Sequence, residues 1–335
     1  MDNRLKRKWL EIYNVAQSIS EFNPWDYFKE SDDFVYLRKD GEGVFHFSFI
    51  GASFDQRGIA VYDNENSYIE AMNRLCKRNK KNEPFFLLQN ALIALWSDRG
   101  DISKDDYSLI KELELKFRGR GAWLHFNKYE IGYGPSQLDE NEVNVLLEAF
   151  RNLYMMVRAV FEQRVYADFE KGEKIVRWYS EEDKLYYTHN IMLQVAKEVE
   201  YPVLTVLENA VLSETRDMPT QDYSVEIDWV YLDVVVKDGD RNIVPLLFYV
   251  VDTSTGAVIY SNVLTPYDDI PNEIFDMFDE IIEKCGKPKQ IFVSDRKLEA
   301  CLFDLCEKTK IKFAVKSTLP NADKARKVLQ NSYII

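Results

Sequence analysis

Cysteine is scarce: Cys76, Cys285, Cys301 and Cys306 are the four in 335 residues, and no two form a C-x-x-C pair. With that scatter, and with an opening segment that does not read as a signal peptide, a disulfide framework is excluded and a reducing, cytoplasmic setting is expected. No run approaches the ~18 uncharged apolar residues of a bilayer span, and the richest, 243–251, stops at strand length. Histidine is equally rare. His46, His125 and His189 lie far apart with no H-E-x-x-H arrangement to seat zinc. His46, inside the alternating run Phe45-His46-Phe47-Ser48-Phe49, reads as a solvent-side residue. There is no G-x-S-x-G elbow and no phosphate-cradling G-x-x-x-x-G-K-[ST] loop. Gly119-Arg120-Gly121 and Gly132-Tyr133-Gly134 are lone glycine pairs, far short of a dinucleotide fingerprint, so no organic cofactor is expected.

Positive charge is also in deficit. Lys and Arg number 43 against 56 Asp and Glu, a formal charge of −13, and such a field repels phosphate backbones and anionic headgroups. Nucleic acid is therefore disfavoured as a partner, a membrane surface is not expected, and protein contacts are the expected partners. Two basic clusters, Arg4-Leu5-Lys6-Arg7-Lys8 and Lys77-Arg78-Asn79-Lys80-Lys81, border helical stretches and read as solvated faces.

What is present is ample core material, 46% hydrophobic and 14% aromatic, on a chain of two-domain length. Leu5, Trp9, Ile12, Tyr13 and Ala16 predict an amphipathic helix over 4–20. Phe34–Leu37, Val44–Ile50 and Gly58–Tyr62 predict an antiparallel meander, followed by a helix over 66–79, strand-like pieces at 85–96 and 123–126, and a long helix over 139–162. The aromatic and glycine-bearing stretch Trp123–Pro135 either folds onto its own core or offers a docking surface. An N-terminal mixed α/β domain is thus expected over 1–162. Residues 163–224 read as a connecting segment with small strands at 175–179, 185–187 and 203–207. From 225 to 335 the pattern predicts strands at 226–236, 243–252 and 256–264, a helix at 271–285, a strand at 290–294, a helix at 297–309, a strand at 311–315 and a helix at 322–330. That β-β-β-α-β-α-β-α order requires antiparallel hairpins first and parallel crossovers later, giving a mixed sheet and an α+β protein overall.

This order resembles the ribonuclease H-like fold. Val251-Asp252-Thr253-Ser254-Thr255-Gly256 looks like the V-D-x-x-[ST]-G hairpin of retroviral-type integrase and transposase cores, and Gly286-Lys287-Pro288 through Ser294-Asp295 looks like their G-x-P-x-x-[IV]-x-[ST]-D. By that resemblance Asp233, on the first strand, and Asp295, after the fourth, are the candidate catalytic and metal-binding carboxylates for Mg²⁺ or Mn²⁺. A third from the last helix would complete a clamp for in-line phosphoryl transfer. The family's glutamate position falls on Gln330, so Asp323 is the candidate there, and the family's glycine after the second aspartate is replaced by Arg296-Lys297. Against this, Asp295 reads equally as a helix cap, Asp252 as a turn residue, and Asp233 as a strand carboxylate that burial would oblige to pair. Over nearly its whole length the chain also resembles an uncharacterised bacterial family of tandem domains of unknown function. The residues carrying that likeness include Asn23-Pro24-Trp25, Gly58-Ile59-Ala60-Val61-Tyr62, Gly132-Tyr133-Gly134-Pro135, Thr255-Gly256 and Leu319-Pro320. A SEC-C zinc motif sometimes follows that tandem, but residues 1–335 hold no such cysteine cluster, and zinc is not expected. Two functions follow: a non-catalytic binding or regulatory protein with a degenerate ribonuclease H-like domain, or a Mg²⁺/Mn²⁺-dependent nuclease using Asp233, Asp295 and Asp323.

Overall fold

Trp9, Ile12, Tyr13, Ala16 and Ile19 recur at three- and four-residue spacing and form the buried stripe of α1 (Asn3–Ser20). Asp2 starts this helix, its carboxylate accepting the Leu5 N–H at 2.7 Å. The computed structural model describes residues 1–29, 31, 34–39, 41, 43–51, 56–81, 89–192, 199–239 and 241–333. Of the expected strand over 85–96, residues 85–88 lie outside these. The chain forms two compact units. The first comprises Met1–Cys76, Phe85–Ile131 and Pro135–Val199, and the second Lys77–Pro84, Gly132–Gly134 and Glu200–Ile335.

In the first unit β1 (Phe34–Leu37), β2 (Val44–Ile50) and β3 (Arg57–Tyr62) form the expected meander, extended by β4 (Ala91–Ser97) and β5 (Trp123–Tyr129). Helix α2 (Glu65–Lys81) follows β3, and a short helix that the sequence pattern did not reveal, α3 (Lys104–Glu112), starts at Ser103 between β4 and β5. Helix α4 (Glu140–Phe161) begins with a capping box, in which Asp139 and Glu142 each accept the other's backbone N–H. It leads to β6 (Glu173–Ser180), which pairs in parallel with β1, and then to β7 (Leu185–Met192), antiparallel to β6. Parallel pairing needs a crossover, and α4 supplies it. The 163–224 connecting segment is corrected accordingly: its first half completes this sheet, in the order β5-β4-β3-β2-β1-β6-β7.

One face of the sheet buries Phe34, Tyr36, Phe45, Phe47 and Phe49 against α1 and α4. The other buries Ile50, Ala60, Tyr62, Ile93 and Leu95 against Tyr68 and Ile69 of α2. That second cover corrects the reading of His46: it is 4% exposed and its ring stacks on Tyr68 at 4.9 Å. The alternation was right, but both faces are covered.

In the second unit α5 (Ala210–Asp217) precedes β8 (Ser224–Tyr231). The tiny hairpin β9 (Val236–Asp238) and β10 (Arg241–Ile243) comes next, then β11 (Leu246–Asp252) and β12 (Val258–Leu264). Helix α6 (Ile270–Cys285), β13 (Gln290–Val293), α7 (Arg296–Thr309), β14 (Lys312–Val315) and α8 (Pro320–Tyr333) follow. The sheet order is β12-β11-β8-β13-β14, antiparallel among the first three and parallel from β8 to β14. This is the expected ribonuclease H-like mixed sheet. Ile227, Phe248 and Val293 face a cluster with α6 and α7, whereas Val230, Leu247 and Val251 face Ala322 and Ala325 of α8. No strand forms at 203–207; there Leu204 donates to the Ala300 carbonyl at 2.9 Å and Val206 to the Asp304 carboxylate at 2.7 Å. Among the described residues no helix is long and apolar enough to cross a membrane.

Candidate functional site

Strand β8 reads Ser-Val-Glu-Ile-Asp-Trp-Val-Tyr, and strand geometry sends successive side chains to opposite faces. Val225, Ile227 and Trp229 join the cluster with α6 and α7, which leaves Glu226 and Asp228 on the face that α8 covers. Both carboxylates are buried, at 2% and 1% exposure. A buried carboxylate must find donors or a cation. For Glu226 they are backbone amides: its Oε2 accepts the N–H groups of Asn321 and Ala322, each at 2.8 Å, in the first turn of α8. The Asn321 side chain adds a longer contact to Oε1 at 3.4 Å. These amides have no intrahelical acceptor, and the positive end of the helix dipole favours the charge.

Asp228 lies opposite Tyr249 in the β8/β11 register, and the Tyr249 hydroxyl reaches its Oδ2 at 3.4 Å. Burial first, and the Asp228 charge second, push the Tyr249 hydroxyl well above its ordinary value, with Arg326 opposing them. Arg326, on α8, is 4% exposed, and its Nη1 lies 2.9 Å from Oδ1 of Asp323 one turn earlier. The face beneath α8 thus holds two buried carboxylates, Glu226 and Asp228, a phenol and a buried guanidinium, the last paired with the partly exposed Asp323. Sequence reasoning missed Glu226, Asp228, Tyr249 and Arg326. The signal for the two acids was legible as Glu-x-Asp at strand period inside an otherwise apolar run.

The aspartates expected from the sequence are placed differently. Strand β8 ends at Tyr231, so Asp233 falls beyond it and is exposed rather than embedded in a strand. Asp295 is the N-cap of α7, its Oδ1 accepting the N–H of Lys297 at 2.8 Å and of Leu298 at 3.4 Å. Asp323 alone reaches the α8 face. Among the described residues no three His, Cys, Asp or Glu side chains are gathered so as to hold a metal ion. Asp252 organises its turn, its Oδ1 accepting the N–H and hydroxyl of Ser254, both at 2.6 Å, and the Thr255 N–H at 3.1 Å. Burial acts to raise its carboxyl, yet the bonds from Ser254 and Thr255 outweigh this and hold it below its ordinary value.

The first unit contains a different polar chain. Ser97 Oγ lies 2.8 Å from His125 Nε2, His125 Nδ1 lies 2.9 Å from Asn127 Oδ1, and the Asn127 amide donates to Asp106 at 3.4 Å. All four residues are buried, and the chain satisfies polar groups shared by β4, β5 and α3.

These features define a two-unit α+β protein whose second unit has a ribonuclease H-like sheet with inward-facing carboxylates. Residues 9–177 match the model of a domain of unknown function (DUF7309), and residues 212–330 match that of a second domain of unknown function (DUF6930). The first match spans half of the chain, and the protein belongs to the DUF7309 family. No curated protein matches it. Among solved structures, the HTLV-2 integrase catalytic core domain in complex with magnesium is similar at 19% identity and a TM-score of 0.25, over 33% of this chain and 69% of that one. The simian T-cell lymphotropic virus intasome in complex with the PP2A regulatory subunit B56 gamma is similar at 13% identity and a TM-score of 0.25, over 35% of this chain and 42% of that one.

Proposed function

We propose that this is a bacterial, cytoplasmic, non-catalytic binding or regulatory protein, in which the ribonuclease H-like unit keeps its sheet but commits the Glu226 carboxylate to the start of α8. One observation carries the reading: the buried guanidinium of Arg326, 2.9 Å from Asp323, puts a fixed cation beside the carboxylate that would serve as the last-helix ligand. Two-metal phosphoryl transfer needs carboxylates free to coordinate and mutually close. Here Asp323 is paired with Arg326, the Oδ1 of Asp295 receives the first amides of α7, and Asp233 stands exposed past its strand. Glu226 is likewise engaged by two amides of α8. Such a donor set does not fit a two-metal clamp. The −13 charge supports protein rather than nucleic acid as the partner.

The competing reading is the Mg²⁺- or Mn²⁺-dependent nuclease using Asp233, Asp295 and Asp323. Titration of the full chain with Mn²⁺, followed by electron paramagnetic resonance, separates the two, together with cleavage assays on DNA and RNA in Mg²⁺ or Mn²⁺. The expected result is Mn²⁺ affinity no tighter than about 1 mM and no cleavage above that of the Asp233→Asn/Asp295→Asn/Asp323→Asn variant. Metal-dependent cleavage abolished in that variant would overturn the binding-protein reading.

A further inference from the structure

Where α4 crosses the β1, β6 and β7 end of the first sheet, it roofs a cavity of about 440 Å³. Its wall carries four cations, Arg38, Lys39, Arg151 and Arg177, and one carboxylate, Glu148. In a chain of charge −13 that local excess is unusual. Two of the cations have carboxylate partners: Arg38 meets Glu148 at 3.0 Å, and Arg151 Nε donates to Glu11 at 2.7 Å. The other two form no ion pair within 4.0 Å among the described residues, although Lys39 is near enough to Glu181 to help hold that carboxyl below its ordinary value, after the larger effect of Lys184. Lys39 Nζ sits 4.4 Å from the centre of the Tyr179 ring. Arg177 is 8% exposed, at the position of β6 that pairs with Tyr36 on one side and Thr188 on the other. Its Nε donates to Asn152 Oδ1 and its Nη1 to Thr188 Oγ1, both at 2.9 Å, and its guanidinium stacks over the Tyr186 ring at 4.7 Å. Three neutral contacts therefore orient a nine-tenths buried cation.

Burying a guanidinium without a counter-charge is costly, and a bound anion would relieve that cost. Guanidinium donors match phosphate geometry, and two cations without a close ion pair match one dianionic head. The cavity falls within the roughly 300–1,000 Å³ of small-molecule sites, larger than inorganic phosphate requires. Tyr186 and Met155 line the remaining space with aromatic and thioether surface. We propose that this pocket of the first unit binds a phosphate monoester of up to nucleotide size, the phosphoryl group on Arg177 and Lys39 and the organic part against Tyr186 and Met155. The pocket stands independently of any chemistry in the second unit.

Isothermal titration of the full chain with adenosine 5′-monophosphate, inorganic phosphate, adenosine and succinate tests this. The expected order is the monophosphate tightest, phosphate weaker and adenosine without measurable binding. Lys39→Ala, at an exposed position, and Arg177→Lys, which keeps the charge but loses the fork, should each weaken the monophosphate at least about tenfold. Lys289→Ala, in the other unit, should leave it unchanged. Arg177→Gln should abolish binding if it folds, and the two milder variants decide the matter if it does not. No binding of either phosphate compound at about 10 mM, succinate preferred over both, or affinity unmoved by Lys39→Ala and Arg177→Lys would each overturn the assignment.

Discussion

Glu226 offers a sharp test of how the second unit is held together, because one of its oxygens serves two amides. Glu226→Ala removes the acceptor for the Asn321 and Ala322 N–H groups, which lie at 2.8 Å in a site where the side chain is 2% exposed. Hydrogen bonds to a charged group contribute about 1.5–3 kcal/mol each, and the helix-terminal charge adds up to about 2 kcal/mol. These effects overlap, so about 3–5 kcal/mol is the expected cost for the alanine. Glu226→Gln is different: its carbonyl can occupy the Oε2 position and keep both amides satisfied, losing only the charge, at about 1–2 kcal/mol. Urea denaturation read by far-ultraviolet circular dichroism gives the two costs. Hydrogen exchange at Asn321 and Ala322 reports locally, with protection lost in the alanine variant and largely kept in the glutamine variant. A glutamine variant as damaged as the alanine one would refute the argument, as would an alanine cost below about 1 kcal/mol.

Replacing Arg326 by Met should destabilise the unit by about 1–3 kcal/mol, because the partly exposed Asp323 carboxylate loses its cation; a urea midpoint matching wild type would show the pair to be of the weak surface kind. Gly58→Ala would place a Cβ 2.8 Å from Leu95 Cδ2 and 3.1 Å from the Ala94 carbonyl. A cost of about 1–3 kcal/mol is expected there, and an unchanged melting temperature would contradict it. Asp304 is held below the ordinary carboxyl value of 3.8, first by Lys308 and then by the Val206 N–H. A depressed carboxyl stabilises above its unfolded value and loses that contribution as pH falls through its lower folded value. Asp304→Asn should therefore be less stable than wild type at pH 7, with the two curves converging below pH 3.8; a gap that persisted to pH 2 would exclude the linkage.

Much of the architecture was legible. The stripes of α1 and α4, the meander β1–β3 and the run from β8 to α8 all follow from local periodicity and turn chemistry, since each element must bury one face whatever its neighbours are. The long-range pairings were not. Nothing within Lys174–Tyr179 says that β6 joins β1 rather than a small separate sheet, because the partner is more than a hundred residues away. His46 alternates like a solvent-side residue and is buried only because α2 covers that face.

The candidate site divides in the same way. Capping by Asp295 and the turn at Asp252 were written in their neighbours and appear as such, both being contacts within three residues. Asp233 lies outside the strand because β8 stops at Tyr231, short of the 236 that the apolar run suggests. The sequence by itself determined most helices and strands, the acidic composition and the absence of recognisable cofactor motifs, all properties of local spacing and composition. Only the tertiary structure decided that Glu226 meets the start of α8 and that Arg38, Lys39, Arg151 and Arg177 line one cavity. These side chains are brought together by sheet pairing and helix packing, which depend on contacts remote in sequence and leave no local signature.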